Sequence, residues 1–231
     1  MRKEKKRFFL SLFFPAIFLL TIWLIKIVEL SLNLDFAFLG IYPLKAKGLI
    51  GILTAPLVHA DFPHLIANSG PVFILSAGLF YFYNKIALKV FFLTYLVTNI
   101  WIWFGARYAY HIGASGLVYG LASFLFFSGV FLKHTRLMAI SLLVVFLYGG
   151  MIWGIFPFQP KISWESHLMG TIAGLVIAVY YIDQGPKRKL YSWELEEENE
   201  DDSENEYWKI DTKENDADIA NNTNNLQNSN E

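Results

Sequence analysis

Six predominantly apolar stretches, most of them close to 20 residues long, recur in this 231-residue chain. They lie at roughly 8–30, 62–83, 88–106, 115–132, 137–156 and 163–182. A run of that length matches the hydrocarbon thickness of a bilayer, which takes about 20 helical residues to cross. Inside lipid every backbone N–H and C=O must find its partner within the chain, so each stretch is expected to be a helix. Strands of a membrane barrel would be about 10 residues long with alternating polarity, and nothing here alternates. The expected class is an all-α membrane protein with six spans.

Charge placement gives these spans a direction. Residues 1–189 carry 17 Lys and Arg against 6 Asp and Glu, whereas residues 190–231 carry 2 against 14. The formal net charge of −1 is therefore a cancellation between two unlike segments. Arg2, Lys3, Lys5, Lys6 and Arg7 precede the first span, which makes residues 1–7 a basic leader. Lys85 and Lys89, Lys133 and Arg136, and Lys187, Arg188 and Lys189 follow the second, fourth and sixth spans. The opposite ends hold only Lys45, Lys47, Arg107 and Lys161. By the excess of cations on cytoplasmic loops, both termini are expected inside a cell membrane, and specifically a bacterial inner membrane. Lys26, near the outer end of the first span, is expected to snorkel, and Pro15 to be absorbed in the first turns of that helix. The connection from Ser31 to Ala60 is too apolar for a solvated loop and is expected to pack on the bundle. The acidic, Asn-rich segment 184–231 is expected to be a disordered cytoplasmic tail. With no cysteine, thiolate metal sites, disulfides and a cysteine nucleophile are excluded. The scattered basic residues argue against nucleic acid as a partner.

Polar side chains within spans are costly and point to function. The second span opens with His64 and Asn68, four apart and so on one helix face. The fourth opens with Gly113-Ala114-Ser115-Gly116, with Tyr119 one turn after the serine. The sixth carries Ser166-His167-Leu168-Met169-Gly170 and then Gly174. All three spans enter from the external side, so the three clusters share one depth. Gly170 and Gly174 form a small-xxx-small face for close helix approach, and Gly116 can serve the same purpose. A hydroxyl beside an imidazole, with donors for an oxyanion, is what serine-based acyl transfer needs. His64, Asn68 and backbone N–H groups near Ser115 can provide those donors, and the Tyr119 ring can hold His167. Asp61 and Glu165 lie near the same surface, but no spacing ties either to His167. A Ser–His dyad is therefore expected. His59 and His111 sit at interfacial entries and are read as structural.

The order His-x4-His-x3-Asn, Gly-x-Ser-Gly with Tyr four after the serine, then His-x2-Gly-x3-Gly, resembles the rhomboid intramembrane serine proteases. The resemblance covers about residues 8–183 and implies a six-helix rhomboid-like bundle with no cofactor or metal. It implies Ser115 as nucleophile, His167 as general base and acid, and an oxyanion hole lined by His64, Asn68 and the Ser115 backbone N–H. Gly113, Gly116, Tyr119, Gly170 and Gly174 have supporting roles. Substrates would be single-span membrane proteins cut near the external interface. Many family members carry a Trp-Arg pair in the first external loop, and none occurs between Ser31 and Ala60. A catalytically inactive relative that binds transmembrane helices would need the same fold without the dyad. A His64–His167 proton relay in a transporter lacks the paired broken helices of that class. A zinc protease lacks a His-Glu-x-x-His helix.

Overall fold

The apolar stretches fold as helices with boundaries close to those expected. The computed structural model describes residues 2–147, 153–158 and 162–186. The α-helices are α1 (Arg2–Ser31), the short α2 (Gly51–Thr54), α3 (Phe62–Phe82), α4 (Ala87–Gly105), α5 (Ser115–Phe131), α6 (Thr135–Leu147) and α7 (Trp164–Tyr180). Among the described residues α1, α3 and α4 are long and apolar enough to cross a membrane. α5 and α6 are shorter apolar helices. The fifth expected span ran to Phe156; α6 ends at Leu147, and residues 148–152 lie outside the described residues. The expected tail likewise lies outside them from residue 187 onward.

α5 is the central element because it can be buried on every side. Small residues (Gly116, Gly120, Ala122, Ser123, Gly129) alternate with Leu117, Leu121, Phe124 and Leu125, and most of the helix is buried. A helix apolar all round belongs in a core or a membrane. Its most extensive packing is against α7, followed by α6, α3 and α4. Phe91 of α4 and Leu75 and Leu79 of α3 are fully buried in the cluster around it. α1 packs on α3 and leaves Phe9, Phe13, Leu20 and Leu24 exposed, an outer face suited to lipid rather than water.

Two residues of the N-terminal segment, Pro15 and Lys26, depart from expectation. α1 begins at Arg2, within the basic leader, so Pro15 lies mid-helix and not in the first turns. Lys26 does not snorkel. It is 5% exposed, its Nζ donates to Glu29 Oε2 at 2.7 Å and to the carbonyls of His59 and Ala60, both at 3.0 Å. Glu29 Oε1 in turn accepts from the Phe36 N–H at 2.8 Å. A buried cation needs such a cage, and this one fastens the end of α1 to the chain just before α3.

The segment between α1 and α3 packs on the bundle as expected, through side chains of α4. Tyr95 Oη donates to the Leu53 carbonyl at 2.5 Å, Asn99 Nδ2 to Ile52 at 2.9 Å and Trp103 Nε1 to Lys45 at 3.2 Å. Ile41 and His111 exchange both backbone hydrogen bonds at 2.9 Å. The docked segment holds the 111–115 turn from outside.

Candidate active site

The polar clusters of α3, α5 and α7 meet at one end of the bundle. Arg7 at the start of α1 donates to carbonyls at the end of α3, whereas Trp23 reaches Ser69 and Lys26 reaches His59. α1 and α3 are therefore antiparallel, and His59, His64 and Asn68 lie at the end away from Arg7.

His64 begins with a helix cap. Asp61 accepts from the His64 backbone N–H at 2.7 Å, the arrangement that satisfies a first-turn donor. The His64 ring stands edge-on to His59, 5.1 Å between centroids. Its other neighbour is Gly113, whose φ of +101° favours glycine and whose missing Cβ would fall 2.7 Å from His64 Nε2. Gly113 thus lets the turn before Ser115 run against the His64 imidazole. One turn along α3, Asn68 is buried at 5% exposure, and its Nδ2 donates to the His64 carbonyl at 2.9 Å.

Ser115 is the first residue of α5, after Ala114 at the N-cap. It is half-buried, and its hydroxyl makes no hydrogen bond to another described residue. A helix start leaves backbone N–H groups without intrahelical partners, which suits a site for developing negative charge. Glycines bring α7 alongside. A Cβ on Gly116 would lie 3.2 Å from the Ser166 carbonyl, and one on Gly170 would clash with the Gly116 carbonyl oxygen. A Cβ on Gly174 would meet the Gly120 carbonyl in the same way. Two backbones this close put Ser115 and His167, the neighbours of Gly116 and Ser166, on adjoining turns.

Two contacts fix His167. The Tyr119 ring stacks on it, 4.1 Å between centroids and 9° from parallel. Its Nδ1 lies 2.8 Å from the Gly154 carbonyl oxygen. A carbonyl only accepts, so Nδ1 carries the proton, and in the neutral ring Nε2 keeps its lone pair. Nε2 makes no hydrogen bond to a described residue. Gly154 can come this near because a Cβ there would strike the Tyr119 hydroxyl and stand 2.9 Å from His167 Nδ1. The carbonyl of Gly154 was not legible in the sequence, since a backbone acceptor has no side-chain signature. Neither Asp61 nor Glu165 is bonded to His167. Asp61 caps α3, and Glu165 pairs with Arg107 at 3.6 Å.

The remaining histidines tie loops together. His111 Nε2 lies 3.0 Å from the Arg107 carbonyl and so must donate to it, leaving Nδ1 to accept from Ser163 Oγ. Ser163 Oγ accepts in turn from Ser166 Oγ. This one-directional chain joins the turn before α5 to the first turn of α7. His59, 1% exposed, accepts from the Ala114 N–H at 3.4 Å through Nε2. Burial pushes His59 down to about 3, helped by the neighbouring His64 and Lys26 charges against a backbone contact that raises it. An unfolded histidine titrates near 6.5, so below that pH the unfolded chain takes up a proton that folded His59 refuses. His59's contribution is therefore complete above pH 6.5 and is lost as pH falls. The thermal midpoint in detergent should drop between about pH 7 and 4.5, and drop less in His59→Gln, whose amide oxygen can still accept from Ala114. Equal pH slopes in the two proteins would contradict this account.

The described residues include no group of three or more His, Asp and Glu side chains placed to hold a metal ion. Comparison with known proteins agrees with the helical bundle. A family model described as Rhomboid domain matches residues 46–184. An uncharacterized protein of Mycobacterium tuberculosis is 39% identical over 162 residues, 65% of this chain and 65% of that protein. An uncharacterized protein of Mycobacterium leprae is 34% identical over 183 residues, 74% and 71% of the two chains. A protein of Acanthamoeba polyphaga mimivirus, named as a rhomboid protein, is 29% identical over 144 residues, 58% of this chain and 75% of its own. The match thus spans just under two thirds of the length of the Mycobacterium tuberculosis relative. With the model match extending from the docked loop to the end of α7, the chain belongs to the rhomboid family.

Proposed function

We propose that this protein is an intramembrane serine endopeptidase that cuts the membrane-spanning segments of other, single-span proteins near the external interface. Ser115 attacks the scissile carbonyl, and His167 Nε2 takes the hydroxyl proton and later returns it to the leaving amine. Asn68, His64 and the N–H groups at the start of α5 stabilise the oxyanion. The chain crosses a cell membrane six times with both termini in the cytoplasm, so the site lies toward the outside, where water can reach it.

The observation that carries this reading is the hydrogen bond from His167 Nδ1 to the Gly154 carbonyl. It selects the tautomer a general base needs, the role a carboxylate has in a triad, and the stacked Tyr119 holds the ring plane. The Ser115 hydroxyl on the adjoining turn, with no hydrogen bond to another described residue, is the matching nucleophile.

A fluorophosphonate probe tests the assignment on purified, reconstituted protein. It should label Ser115 and not a Ser115→Ala variant, and only the unaltered protein should cleave a model transmembrane substrate. An unlabelled, folded wild-type protein would instead favour a non-catalytic relative that binds transmembrane helices.

A further inference from the structure

The end of the bundle opposite the candidate active site holds a second feature. Lys3, Lys6, Arg7 and Leu10 recur at the three- and four-residue spacing that shares one helix face. Together with Phe80 in the last turn of α3 and Asn84 just beyond it they line a cavity of about 460 Å³. Its cations are not equivalent. Arg7 Nε donates to the Tyr81 carbonyl at 2.7 Å and Nη2 to Phe82 at 3.4 Å, with the guanidinium 5.0 Å above the Tyr81 ring. Arg7 is thus partly engaged with the α3 C-terminus. Lys3 and Lys6 are exposed and make no ion pair or hydrogen bond among the described residues. Glu4, the acid in this turn, does not line the cavity.

Two ammonium groups, a guanidinium and a carboxamide thus line an open cavity together with the apolar side chains of Leu10 and Phe80. Phe9 and Phe13 extend an exposed apolar surface from the same turns toward the middle of α1. This amphipathic pattern fits a ligand with an anionic head and a hydrocarbon tail. We infer that the cavity between the first turns of α1 and the end of α3 is a binding site for the phosphate headgroup of an anionic phospholipid, with Lys3 and Lys6 as its main ligands. The acyl chains then lie along Leu10 and Phe80. Free phosphate has the same charge chemistry but gains nothing from those apolar side chains, which is why the lipid is the occupant chosen. The inference is independent of the proteolytic reading, because it concerns retention of lipid and not cleavage.

The test is lipid retention by the full chain, purified in a neutral detergent and titrated with short-chain phosphatidylglycerol or phosphatidylcholine, read by native mass spectrometry and thermal shift. Phosphatidylglycerol should be retained in preference to phosphatidylcholine. Its apparent affinity should fall about fivefold for Lys3→Gln and again for Lys6→Gln, the effect of one basic residue at an anionic surface. Lys89→Gln, a cation at the same end of the bundle but outside the cavity, should leave it unchanged. Equal retention by wild type and the Lys3→Gln/Lys6→Gln double variant, or equal retention of both lipids, would overturn the site. Stabilisation by inorganic phosphate alone, as strong as by phosphatidylglycerol, would overturn the assignment to lipid.

Discussion

Replacing Ser115 by Ala, His167 by Ala, and both together is expected to give three nearly equal losses of turnover, each on the order of 10⁴–10⁶-fold. If the two side chains contributed independently, the double variant would lose the product of the single effects. A nucleophile and its base act in one step, so removing either leaves nothing for the other to do. Residual cleavage above the uncatalysed rate would come from oxyanion donors and substrate positioning, which neither substitution touches. The measurement is kcat on a reconstituted transmembrane substrate for the four proteins, with the thermal midpoint as a check on folding. Ala at 115 removes one half-buried hydroxyl, so that variant should keep its midpoint. Ala at 167 loses the Tyr119 stack and the Gly154 hydrogen bond and should be somewhat less stable. Multiplicative losses, or a Ser115→Ala protein that still turns over, would remove the dyad from the mechanism.

The helices were legible in the sequence because membrane spans are written in long apolar runs. α3 and α4 begin and end within a residue of expectation, and α5 begins at the expected serine. The fifth span was drawn too long. From residues 137–156 hydropathy alone reads as one run, but among the described residues Trp153–Ile155 is a separate turn of 3₁₀ helix, built around Gly154, a poor helix former, with Pro157 just beyond the expected end. Lys26 departs from its expected exposure for a related reason. Its partners are Glu29, one turn away, and two backbone carbonyls more than thirty residues along, and no sequence pattern announces a carbonyl. The candidate site divides in the same way. Its side chains stood out as polar residues where polarity is costly, and helix direction alone put them at one end. The groups that orient them did not stand out: the Gly154 carbonyl behind His167 and the positive φ at Gly113.

Adding a single methyl group at Gly170 should be among the most damaging small changes available to this chain. A Cβ there would overlap the Gly116 carbonyl oxygen and stand 3.0 Å from its carbon and 3.2 Å from Gly120 N. All three obstacles are backbone, so no side chain can rotate away and α7 must back off from α5. Overpacking of this kind typically costs about 1–3 kcal/mol. His167 lies one turn before Gly170 on the helix that moves, while Ser115 stays on α5. A shift of about 1 Å between reacting groups is enough to lower a rate about 100-fold. Gly170→Ala should therefore lose about 100-fold or more in turnover and several degrees in thermal midpoint. Gly78→Ala is the matched control, since a Cβ there would meet only the Ile140 and Leu125 side chains, at 3.6–3.7 Å. With ordinary contacts and the better helix propensity of Ala, about 0.5–1 kcal/mol over Gly, that variant should be as stable as the wild type or more so, with turnover unchanged. A Gly170→Ala protein with the turnover and midpoint of the wild type would mean that the α5–α7 approach does not hold the two groups in register.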